Sequence, residues 1–119
     1  MKRKLTIGMA TYDDFDGVFF SIQALRMYHK EILDDIEIII IDNNPGGDHS
    51  NSIKNFINGI KDHISIQHIL FEDQSGGPAA AKNQIFNNAK TPYVLCMDSH
   101  ILFEHGSLEK LIQYYKEYP

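Results

Sequence analysis

The chain has 119 residues, 43% of them hydrophobic, enough for one domain with its own core and too few for two. Its 16 acidic residues outnumber 11 basic ones that are scattered along the sequence, a formal charge of −5 that argues against nucleic acid as the main partner. The lone Cys96 excludes an intrachain disulfide, no run of about 18 apolar residues offers a membrane span, and the apolar stretch after Met1-Lys2-Arg3-Lys4 is too short for a secretion signal, so a cytoplasmic protein is expected.

In chain order, residues 5–10 read as a buried strand that exits into Thr11-Tyr12-Asp13-Asp14. Val18, Ile22 and Leu25 follow at i, i+4, i+7, the period of a helix with one apolar face. Residues 36–41 are β-branched almost throughout, as in a parallel strand covered on both faces, and lead into Asp42-Asn43-Asn44 and a Pro-Gly-Gly turn. Ile53, Phe56, Ile57 and Ile60 predict a second helix, residues 64–71 a third strand, and Ala81, Ile85 and Ala89 a third helix that starts after Gly76-Gly77-Pro78. The fourth strand, 93–97, runs into Asp98-Ser99-His100. Leu108, Leu111, Ile112 and Tyr115 predict a last helix, with Ser107 placed to cap it.

Strands alternating with helices imply right-handed crossovers and an α/β fold, a mostly parallel sheet with helices on both faces, in a single domain spanning 1–119. Ligands of such sheets bind beyond the carboxyl ends of the strands, at the point where strand order reverses. With the order 3-2-1-4, the polar segments after strands one, two and four would share one pocket.

Asp98 and His100 are two residues apart at the mouth of a buried strand, so they face the same side, and both can ligate a divalent metal. A mixed oxygen and imidazole set suits Mn²⁺ better than Mg²⁺. The bland alternative is that Asp98 caps a turn and His100 is a solvated loop residue. Asp42 ends an apolar strand, where its carboxylate can accept from a base edge or simply close an Asx-type turn. Gly76 and Gly77 permit close backbone approach ahead of a helix N-terminus that favours anions, with Pro78 suited to its first turn. Lys82, one turn further on, is either a ligand contact or a solvated lysine. His29, His49, His63, His68 and His105 share no ligand spacing.

Met9-Ala10-Thr11-Tyr12-Asp13, Ile41-Asp42-Asn43-Asn44, Gly77-Pro78-Ala79-Ala80-Ala81-Lys82-Asn83 and Met97-Asp98-Ser99-His100 together resemble the nucleotide-binding half of family 2 glycosyltransferases, in order and spacing and over nearly the whole chain. The resemblance implies a Rossmann-like GT-A three-layer sandwich and transfer of a sugar from a nucleotide-diphosphate donor, UDP-linked by preference, to a glycan, lipid or protein acceptor. It implies Mn²⁺ or Mg²⁺ at an Asp-x-Asp motif, here Asp98-Ser99-His100, an Asp-x-His form similar to that of polypeptide N-acetylgalactosaminyltransferases. By the same resemblance Thr11 and Tyr12 contact base and ribose, Asp42 reads the base, and Ala10, Gly77, Lys82, Asp98 and Ser99 are further nucleotide contacts; Asp13 and Asp14 read as surface acids, Asp13 being the better candidate for a nucleotide contact. The family's acceptor-binding segment and catalytic base would follow the metal motif. The sequence ends at Tyr118-Pro119, one helix beyond it, so a truncated donor half is expected, with the catalytic residue unknown. A surface left uncovered would favour a homo-oligomer. Two other classes stay open: a non-catalytic nucleotide-binding module, and a regulatory α/β domain of flavodoxin or receiver type.

Overall fold

The four consecutive isoleucines at 38–41 are all at most 1% exposed and set the middle of the fold, because a strand apolar on both faces is stable only with a layer on each side. The computed structural model describes residues 3–99 and 101–118. Strands β1 (Leu5–Thr11), β2 (Ile36–Asp42), β3 (Ile66–Leu70) and β4 (Tyr93–Met97) form one parallel sheet in the expected order β3-β2-β1-β4. They alternate with helices α1 (Phe15–Tyr28), α2 (Ser50–Ile60), α3 (Gly77–Asn88) and α4 (Ser107–Glu117).

Strand parity divides the core in two. Leu5, Ile7 and Met9 of β1 and Ile36, Ile38 and Ile40 of β2 pack with Val18, Ile22 and Leu25 of α1, Ile53 and Ile57 of α2 and Leu108 of α4. The opposite parity, Ile39 and Ile41 with Val94 and Cys96, meets Ala81 and Ile85 of α3. Fully burying each such aliphatic side chain is worth about 1.5–3 kcal/mol, so the central strands carry much of the fold's stabilisation. Gly8 lies where α3 crosses β1. A Cβ there would collide with Cγ2 of Ile85 and lie 2.8 Å from its Cδ1, and the missing side chain lets the helix settle onto the sheet.

At the amino ends of the strands, on the α3 side, the buried Glu37 accepts from Thr6 Oγ1 (2.8 Å) and from the Lys90 amide (3.2 Å), and Thr6 is linked to Thr91 Oγ1 at 2.6 Å. This ties the segment after α3 to β1 and β2. Among the described residues no helix is long and apolar enough to cross a membrane.

Three local expectations change. The third strand is shorter than 64–71, because Ile64 accepts no place in the ladder; its amide bonds to Ile60 O and its side chain fills the core below α2. A 3-10 turn over Lys30–Asp35, too short to show a period, seats Ile32 in the same core. The cap of α4 is Gly106, in the left-handed region at φ 82, with Ser107 the first helical residue; the Ser107 hydroxyl is buried and has no partner among the described residues, so it does not cap.

Candidate functional site

A cleft of about 370 Å³ lies beyond the carboxyl ends of the strands, between the ends of β1 and β2 and the first turn of α3. Its wall at β1 is Ala10, Thr11 and Tyr12, with Tyr12 60% exposed and its ring available to stack. Asn43 and Gln74 form the side opposite, and Gly77, Pro78, Ala81 and Lys82 of α3 the third wall. Asp98, just past β4, closes the set, its side chain 54% exposed and its Oδ1 3.7 Å from Lys82 Nζ.

The first turn of α3 starts from Gly77, at φ 66, where a side chain would be strained. Pro78 stands inside the first turn, where its missing N–H costs nothing, and the remaining free N–H groups face the anion-favouring end of the helix. At the lip, Ser75 donates its amide and hydroxyl to Asp73 Oδ1 (2.9 and 2.6 Å), which holds the Asp73 carboxyl below its ordinary value. Cys96, one residue pair before Asp98 on the same face, has its thiol raised by burial, with Lys82 opposing and Asp98 adding to the shift.

Of the nine expected nucleotide contacts, Ala10, Thr11, Tyr12, Gly77, Lys82 and Asp98 meet in this cleft, and three do not line it. Asp42 is fully buried on the α2 side: Oδ1 accepts from the Asn44 amide (3.1 Å), Oδ2 from Ser50 Oγ (2.7 Å), and His68 Nε2 stands 3.5 Å from Oδ2. Its carboxylate therefore braces the loop into α2, and the cleft position at this strand end belongs to Asn43. Asn43 Nδ2 donates to Phe71 O and Asp73 O (2.9 and 3.2 Å), and among the described residues no donor reaches its Oδ1.

Asp13, at φ 55, turns away from the cleft and accepts from the His49 amide at 2.8 Å, joining the loops after β1 and β2. Ser99 points to the α1 side, where its hydroxyl donates to Asp14 Oδ2 at 2.7 Å and its carbonyl accepts from Ser21 Oγ. Asp14 is no loose surface acid: it caps α1 through Gly17 N and is held by Ser99. His100 lies outside the described residues. Among the described residues no group of three or more His, Cys, Asp or Glu side chains converges as a metal site.

The sequence matches the family model for glycosyl transferase family 2 over residues 6–119. The chain belongs to glycosyl transferase family 2. No curated protein matches it by sequence. Among solved structures, the family 2 chain superposes on residues 1–349 of TarS from S. aureus with a TM-score of 0.80 at 17% identity, covering 96% of this chain and 32% of that one. The same TarS segment in complex with UDP-GlcNAc gives 0.79 at 17% identity, over 96% and 31%. Mannosyltransferase PcManGT from Pyrobaculum calidifontis, in complex with GDP-Man and Mn²⁺, gives 0.79 at 16% identity, over 96% and 32%. The likeness establishes the GT-A fold, and the family 2 chain spans about a third of the length of these structures.

Proposed function

We propose that the cleft is the donor site of a glycosyltransferase and holds the nucleotide diphosphate of a sugar donor, UDP-linked by preference, for transfer to a glycan, lipid or protein acceptor. The observation that carries this is the convergence, in a family 2 chain, of an exposed aromatic ring, an amide with a free acceptor, a helix N-terminus with a lysine, and a carboxylate on one cleft. Tyr12 offers a stacking face for the base, Asn43 Oδ1 an acceptor for a base N–H, and Gly77 with the first turn of α3 a seat for the diphosphate. The base-reading role first given to Asp42 passes to Asn43, because only Asn43 faces the cleft.

The donor set suits a divalent cation. Asp98 is a hard oxygen ligand, more than half exposed, with a weak ion pair as its partner among the described residues, so both carboxylate oxygens can bind Mn²⁺ or Mg²⁺. His100 is the second proposed ligand, and the combination favours Mn²⁺. Bound there, the cation would neutralise charge that develops on the departing diphosphate. PcManGT was captured with Mn²⁺ and GDP-Man and TarS with UDP-GlcNAc, which supports a nucleotide sugar and leaves the base to experiment.

Calorimetric titration of UDP and of GDP, with Mn²⁺ and with chelator, tests the reading in the native chain and in Asp98→Ala and His100→Ala. Metal-dependent binding that is lost in Asp98→Ala is the expected result. A folded chain that binds neither nucleotide under any metal condition overturns it.

A further inference from the structure

The charges in the cleft are arranged for exchange. Lys82 Nζ and Asp98 Oδ1 are 3.7 Å apart, and both side chains are substantially exposed, 43% and 54%. An exposed pair of this kind is weak and screened, so it breaks without large cost. The chemistry of lysine fits the same purpose: an ammonium is a point charge on a flexible stem with three rotatable donors, whereas an arginine would grip the carboxylate in a bidentate fork. Lys82 also stands one turn inside α3, on the same cleft wall as Gly77 and Pro78, within the part of the site where a diphosphate would sit.

We propose, resting on the donor-site reading above, that Lys82 is an internal stand-in for the divalent cation: it neutralises Asp98 while the cleft is empty, and moves to the diphosphate when metal and nucleotide arrive. Without the diphosphate, an incoming cation must displace Lys82 from Asp98 and then remain beside a like charge with no anion to receive it. With the diphosphate present, the lysine has a new partner and the carboxylate is released to the metal. The empty site therefore takes up metal poorly, and metal and nucleotide load together. Lys82 acts on the metal through Asp98, as a positioning and gating residue, and on the nucleotide by direct contact.

The decisive measurement separates the two ligands. Mn²⁺ alone is titrated into the native chain, Lys82→Met and Lys82→Arg, following free Mn²⁺ by electron paramagnetic resonance at low and at high salt. UDP and GDP are then titrated at saturating Mn²⁺. Lys82→Met is expected to bind Mn²⁺ about three- to tenfold more tightly at low salt, with the gain shrinking at high salt, and to bind the nucleotide at least about tenfold more weakly. Lys82→Arg, which keeps the charge, should bind Mn²⁺ no better than the native chain. Opposite signs for the two ligands are what a merely structural lysine would not produce. If the native chain binds nucleotide with Mn²⁺ while Lys82→Met binds Mn²⁺ no more tightly, the stand-in role is overturned and the donor site stands. If the native chain binds no nucleotide with Mn²⁺, the donor-site reading falls and the stand-in falls with it.

Discussion

Gly8→Ala tests the contact between α3 and the sheet. The new methyl would enter space held by Cγ2 of Ile85, with Cδ1 and Cγ1 at 2.8 and 2.9 Å, and Ile85 is fully buried, so α3 must shift from the sheet or the side chain must leave its rotamer. Overpacking of this size costs about 1–3 kcal/mol, offset by about 0.4–1 kcal/mol from the reduced freedom of the unfolded chain, for a net loss centred on about 1.3 kcal/mol and at most about 2.6 kcal/mol. With an unfolding entropy of about 2.1 cal/mol/K per residue over 119 residues, the central value lowers Tm by about 5 °C. Thermal and urea unfolding followed by circular dichroism would measure it. The cycle with Ile85→Ala supplies the refutation. That substitution alone costs about 2–5 kcal/mol, but it opens the space the methyl needs, so Gly8→Ala should become neutral or stabilising in its presence. Equal losses in both backgrounds would show that the contact with Ile85 is not why residue 8 is a glycine.

Asp14→Ala removes the α1 cap and strands the Ser99 hydroxyl, a loss of about 1.5–3 kcal/mol by urea unfolding; Ser99→Ala keeps the cap and should lose about 1 kcal/mol or less. Tyr12→Ala should weaken nucleotide binding by 1–3 kcal/mol of stacking, about five- to 150-fold in Kd, while Tm stays within about 1 °C because the ring is mostly exposed. An unchanged Kd would remove Tyr12 from the site. Burial raises the Cys96 thiol, so the native state favours the neutral form: its stabilising contribution is whole below the ordinary thiol pKa of about 8.5 and is lost as pH rises through the native value. Between pH 8 and 10 the native chain should therefore lose urea resistance more steeply than Cys96→Ala, and parallel curves would contradict the shift.

The strands could be read from the sequence because each is a β-branched or apolar run between polar exits; their order could not, since right-handed crossovers allow several, and the structure supplies β3-β2-β1-β4. What was missed lacked a period: the turn at Lys30–Asp35 is a single short coil, and Ile64 is apolar for the sake of the α2 loop, not the ladder. The cleft was legible in every segment, and in six of the nine residues named from them; what the segments did not disclose is which neighbour at a strand end turns inward. On β1 and β4 the even-numbered side chains face α3 and the cleft, and on β2 the odd-numbered ones do. Carried past the strand ends, that parity selects Tyr12, Asn43 and Asp98 and turns Asp13, Asp42 and Ser99 to the other side, with Thr11 the exception that lines the cleft against it. The resemblance points to the carboxylate of Asp42, whose Asx-type bond to the Asn44 amide is the alternative that the local residues also allow. Gln74 carries no local signal at all; only the fold of the segment after β3 brings it to the cleft, where its Nε2 donates to Asn43 O.

The buried clip at Glu37 lies at the far end of the sheet from the cleft, yet it governs how the cleft can move. With the Lys90 amide fastened to Glu37, Thr91 joined to Thr6, and Ile85 seated over Gly8, helix α3 is anchored at its tail and along its middle, whereas among the described residues its head is held by the Gly77 amide on Gln74 O and the exposed Lys82–Asp98 pair. It behaves as a cantilever. Any adjustment on ligand entry must be concentrated in the first turn around Gly77, with a displacement that dies away toward Ile85, so amide exchange should separate a labile head from a protected tail within one twelve-residue helix.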